Sequence, residues 1–153
     1  MTQTNATANA YLRTKVLTAS PEELRLMLLD GAIKFLVQGC EGLERKDWEA
    51  VFDGFSKCRN IVLELINSVR HDVDPDLCAR VTSLYTFLFT QLVEAGFEKD
   101  AIKAKKVLDI LQFERETWVL AMERSAAERG LTREPATNTA AERPRQGTLS
   151  LQG

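Results

Sequence analysis

The segment Thr18-Ala-Ser-Pro-Glu-Glu-Leu24 fixes the start of a helix whose apolar surface exceeds what one packed face can bury. Ser20 is a ready N-cap and Pro21 suits the first helical position. Glu23, three residues after Ser20, completes a capping box near the positive end of the helix dipole. The pattern runs from there to about Arg45. At about 100° per residue, Leu24, Leu28, Ala32, Phe35, Gly39 and Leu43 share one face, and Leu26, Leu29, Ile33, Val37 and Cys40 form a second beside it. The polar stripe that remains, Glu23, Asp30, Lys34, Gln38, Glu41 and Arg45, is narrow. Such a helix is either buried on nearly every side or presents one apolar face to a partner.

Beyond it the punctuation is regular. Asp47 is a plausible N-cap for a second helix over about 48–70, with Trp48, Val51, Phe52, Phe55, Cys58, Val62, Leu65 and Val69 as its core stripe. Asp74 caps and Pro75 opens a third helix that the pattern ends near Gly96. It carries Leu77, Val81, Leu84, Leu88 and Leu92 inward, with Cys78, Tyr85, Phe89 and Val93 turned away by about a right angle. Asp100 caps a fourth, from Ala101 to about Glu128, with Gly130 read as its C′ residue. Ala104, Val107, Leu108, Leu111, Trp118 and Met122 form the core face of this last helix. Ile102, Phe113 and Leu120 project from its opposite side, flanked by Ile110 and Thr117.

No strand-like alternation intervenes, so the expected fold is all-α: an antiparallel up-and-down four-helix bundle over residues 20–130. Residues 131–153, with Pro135, Pro144 and almost no large apolar side chain, read as a disordered tail. Residues 1–19 read as a flexible segment in which Tyr11, Leu12, Val16 and Leu17 interrupt a polar run and can dock on the bundle as a flap.

Charge and composition exclude several classes of function. Twenty basic against 22 acidic residues, with no basic cluster interleaved with aromatics, speak against nucleic acid as a partner. No apolar run approaches membrane-spanning length and the first 19 residues have no signal-peptide organisation, so the expected location is the cytoplasm. Cys40, Cys58 and Cys78 lie in separate helical patterns without CxxC spacing and read as buried free thiols. The single histidine, His71, stands in a loop and reads as solvated. A carboxylate-bridged metal pair in a bundle needs two Glu-x-x-His motifs, which one histidine cannot supply. With no phosphate loop, nucleophile elbow or Cys/His pair, the chain reads as a non-enzyme without cofactor, metal or small-molecule substrate.

One set of patterns in order carries a family resemblance: Tyr11, Val16, Thr18-Ala-Ser-Pro21 with Leu24, Met27-Leu-Leu-Asp-Gly-Ala32, Lys46-Asp47, Asn60-Ile61-Val62, Leu84-Tyr85, Leu92 with Glu94-Ala95, and Trp118. Over about residues 11–125 the chain resembles the flagellar secretion chaperones of the FliS family. The resemblance implies a cytosolic four-helix bundle that binds the disordered C-terminal segment of flagellin and blocks its premature polymerisation. It further implies delivery to the flagellar type III export apparatus, with export gate components as a further contact. It also implies apolar grooves on the outside of the bundle that the chaperone's own N-terminal segment covers in part when flagellin is absent. On this chain the expected contact positions are Tyr11, Val16, Leu26, Ile33, Tyr85, Phe89, Ile102, Ile110, Phe113 and Leu120. The competing reading is a self-associating structural or regulatory bundle that buries Ile102, Phe113 and Leu120 in a symmetric dimer.

Overall fold

The structure, a computed structural model, describes residues 2–69 and 74–132. The described residues form helices and the short connections between them, without a strand, in the order α1 (Thr2–Thr18), α2 (Pro21–Arg45), α3 (Trp48–Asn67), α4 (Pro75–Glu98) and α5 (Ala101–Thr132). His71 and the tail from 133 onward, with the readings made of them, lie outside the described residues. No described helix is long and apolar enough to cross a membrane.

The helix starts follow the capping side chains. Ser20 Oγ accepts from the Glu23 N–H at 3.2 Å while the Glu23 carboxylate accepts from the Ser20 N–H at 3.0 Å, a complete capping box. Asp47 accepts from the Ala50 N–H and Asp74 from the Leu77 N–H, each at 3.2 Å. Asp100 accepts from the N–H groups of Ile102 and Lys103 at 3.0 Å.

The helix ends depart from the sequence reading. α4 runs through Gly96 to Glu98 and α5 runs through Gly130 to Thr132, and no described glycine has a positive φ. The left-handed residues are Lys46 and Lys99, both with φ of 56°. Each directly precedes the aspartate that caps the next helix, so the reversal must fall on that lysine, and a glycine farther back comes too early to make it.

Residues 2–18, read as a flexible flap, are the helix α1. Its segment has no glycine or proline, carries Ala6, Ala8 and Ala10, and closes with Thr14 Oγ1 donating to the Ala10 carbonyl and Thr18 Oγ1 to that of Thr14. Tyr11, Leu12 and Leu17 are exposed, and α1 contributes nothing to the core.

That core comprises Leu29, Ala32 and Leu36 of α2; Val51, Phe55, Cys58, Val62 and Leu65 of α3; Tyr85, Leu88, Leu92 and Ala95 of α4; and Ala104, Val107 and Leu111 of α5. On α2 the buried line follows the seam between the two expected faces. Leu36, assigned to neither, is fully buried there. Trp48, Phe52 and Leu77, expected inside, are exposed. Trp48 and Leu77 sit in the first turns of their helices, beyond the end of the packed layer, and Phe52 is turned about 100° from Val51, which faces in. Lys99 Nζ covers the Trp48 ring at 4.0 Å from its centroid.

α2 and α3 pack through glycines: a Cβ on Gly31 would meet Ile61 at 3.2 Å, and one on Gly42 would meet the Val51 nitrogen at 3.0 Å. α3 packs in turn on α4. The chain divides into two compact units after Val119. The core belongs to the first. The described part of the second is the last stretch of α5, in which Leu120 and Leu131 are exposed and Met122, expected in the core, is half-buried.

Candidate partner-binding site

The ten expected contact residues differ in exposure. Tyr85, expected about a right angle from the inward stripe and as a contact position, is fully buried. Ile33, Phe89 and Ile110 are partly buried against the core. Leu26, half-buried, lines a small pocket of about 260 Å³ with Lys15 and Thr18 from the end of α1 and with Met27 and Asp30 of α2. Tyr11 (70% exposed), Val16 (40%), Ile102 (71%) and Phe113 (65%) are open, and so, in the second unit, is Leu120 (66%). On α5 the opposition of Ile102 and Phe113 to the buried Ala104, Val107 and Leu111 is as the periodicity requires.

The burial of Tyr85 reveals a polar cluster that periodicity alone did not identify. Arg25 Nη2 donates to the Tyr85 hydroxyl at 3.0 Å, and that hydroxyl donates to a Glu114 carboxylate oxygen at 3.3 Å. The Arg25 guanidinium lies 5.6 Å from the Tyr85 ring centroid and 5.0 Å from that of Trp118, whose Nε1–H donates to the Glu22 carbonyl at 3.0 Å. Arg115 pairs with Asp30 nearby along the same two helices, α5 and α2. Burial pushes the Tyr85 phenol up to about 12, with Glu114 adding to the rise and Arg25 opposing it. The available signal was Arg25 itself. It stands one turn before Leu29 on the buried line of α2, and a cation on a core-facing stripe requires aromatic or polar partners.

Beside this cluster lies a cavity of about 400 Å³, lined by the start of α2 (Pro21, Glu22, Leu24, Arg25, Leu28), the end of α3 (Ser68, Val69), the start of α4 (Leu77, Cys78, Val81) and Trp118. The walls are apolar apart from Arg25, Glu22 and Ser68, a composition suited to aliphatic side chains. The described residues hold no group of three or more His, Cys, Asp or Glu side chains able to bind a metal. Burial pushes the Cys58 thiol up to about 12, with Cys40 adding to the rise, and Cys40 is also raised by burial and by Glu44 and Glu41. Neither is an activated nucleophile.

The described residues thus combine exposed apolar side chains with an apolar cavity. Residues 3–125 match the family described as flagellar protein FliS. The chain belongs to the FliS family. It is 28% identical to the flagellar secretion chaperone FliS of Bacillus subtilis (strain 168) over 78% of this chain and 89% of that protein. It is 29% identical to the flagellar secretion chaperone FliS of Salmonella typhimurium, over 74% and 84% respectively, and 24% identical to that of Vibrio cholerae, over 65% and 74%. The work of FliS proteins is chaperoning in flagellum biogenesis and protein export, and it is not enzymatic.

Proposed function

We propose that this FliS protein binds the disordered C-terminal segment of flagellin in the cytoplasm, keeps it from polymerising prematurely and delivers it to the flagellar type III export apparatus. The observation that carries the reading is α5, which buries Ala104, Val107 and Leu111 yet leaves Ile102 and Phe113 open on its other side. A helix with two apolar sides suits a protein that lays a client helix along its exterior. The bundle in this reading is formed by α2 to α5, each antiparallel to the next. The order of contacts along α2 and α3 supports this, since Gly31 meets Ile61, Gly39 meets Phe55 and Gly42 meets Val51. Residues 1–19 act as a cover displaced by the client, and residues 20–130 as the chaperone domain.

Titration of the purified protein with a flagellin C-terminal peptide, alongside sedimentation of the free protein, tests the reading. Saturable binding to a monomer is the expected result. A tight dimer that ignores the peptide would support the self-associating alternative.

A further inference from the structure

The core stops short of the helix ends that surround the cavity at the start of α2. Its last members on that side are Leu29 of α2, Leu65 of α3, Tyr85 of α4 and Leu111 of α5, and no residue of 21–28, 75–84 or 112–119 is buried to the same degree. Where a further core layer would stand there is the cavity of about 400 Å³, with Leu24, Leu28, Leu77, Val81 and Trp118 around it. The polar groups of this layer are incomplete as well. Arg25 Nε and Thr82 Oγ1, one turn before Leu29 and Tyr85 respectively, are enclosed without a hydrogen-bond partner, a state that costs free energy and that water would relieve.

Residues 112–119 of α5 are attached here by polar contacts. Arg115 pairs with Asp30, and the two side chains remain 41% and 50% exposed. The Glu114 carboxylate accepts from the Tyr85 hydroxyl, the Trp118 Nε1–H donates to the Glu22 carbonyl, and the half-buried Trp118 ring lies against the Arg25 guanidinium. Water replaces contacts of this kind at small net cost. The preceding stretch, 101–111, is held instead by Ala104, Val107 and Leu111 in the core, whose exposure water does not compensate. We propose that α5 works in two parts: residues 112–119 form a clasp that releases from α2 and α4 while residues 101–111 stay seated. Release withdraws the Trp118 wall, opens the cavity to solvent and uncovers Arg25, so that water can accept from its Nε. The clasp governs entry to the cavity whatever occupies it, and the inference therefore stands apart from the flagellin reading.

The experiment uses the full chain carrying Trp48→Phe, which leaves Trp118 as the one tryptophan of the two in the sequence. Along a urea series, Trp118 emission reads the clasp, and the alkylation rate of the fully buried Cys58, located by mass spectrometry, reads the core. Trp118 is expected to reach its solvent-exposed emission at a urea concentration where Cys58 still reacts at least about tenfold more slowly than in the unfolded chain. Arg115→Gln, which removes the ion pair with Asp30, is expected to move the Trp118 transition to lower urea and to leave the Cys58 transition in place. Coincident transitions of the two reporters overturn the proposal. So does an Arg115→Gln variant that shifts both equally, or neither.

Discussion

Gly54 of α3 lies against the backbone of Gly39 of α2 so closely that a Cβ on Gly54 would stand 2.6 Å from the Gly39 nitrogen and 2.8 Å from its Cα. The obstruction is main chain, so no side-chain rotation can relieve it. Gly54→Ala is therefore expected to force the two helices apart and to lower stability by about 1–3 kcal/mol, read as a fall in the urea midpoint. Gly130, with nothing within 4 Å of its would-be Cβ, is the control. Gly130→Ala should leave the midpoint unchanged or raise helicity slightly, since alanine is favoured over glycine in a helix by about 1 kcal/mol. Equal behaviour of the two variants would refute the close crossing.

The outward side of α5 is tested by charge. Ile102→Asp with Phe113→Asp should preserve helical circular dichroism and the urea midpoint, because both side chains are exposed. Loss of two apolar contacts of on the order of 2 kcal/mol each should weaken flagellin-peptide affinity by more than about a hundredfold. Leu111→Asp, at a fully buried position, should unfold the protein. A double variant that binds normally places the client elsewhere.

Alkaline pH should destabilise the fold. Tyr85, raised from 10.0 to about 12, and Cys58, raised from 9.0 to about 12, both hold their protons more tightly when folded. Their contribution is fully present below the unfolded values and is lost as pH climbs towards 12. The urea midpoint is expected to fall progressively above pH 9, and Tyr85→Phe should flatten the part of the decline above pH 10. A midpoint constant from pH 8 to 11 would contradict the burial of both groups.

Removal of residues 1–18 should leave the midpoint within about 1 kcal/mol of the full chain, because α1 adds nothing to the core and the Ser20–Glu23 cap lies beyond the cut. Ser20→Ala in the same shortened chain should lower stability by about 1 kcal/mol. If α1 acts as a cover, peptide association should be at least as fast without it, and stopped-flow mixing reads this directly.

Capping was legible in the sequence because it is local: Ser20, Asp47, Asp74 and Asp100 each bond a backbone N–H within three residues. So was the outward placement of Ile102 and Phe113, fixed by helical period alone. Tyr85 was not legible. Two adjacent apolar stripes on one helix are equivalent to periodicity, and the choice between them was made by Arg25 and Glu114, 60 and 29 positions away. The same ambiguity hid Leu36 on the seam of α2. Gly96 and Gly130 misled because glycine permits a left-handed turn without requiring one, and the reversals fell on Lys46 and Lys99.

The two lysine turns are the same device used twice. Lys46-Asp47 and Lys99-Asp100 each pair a left-handed lysine with a capping aspartate, so α2 and α3, and again α4 and α5, are joined by only two residues. Tethers that short keep a helix beside its partner even when its contacts loosen. The opening units of the protein are then hairpins rather than single helices. Native-state hydrogen exchange should accordingly release the amides of α2 and α3 together, at the highest opening free energy in the chain, with those of α1 exchanging far earlier.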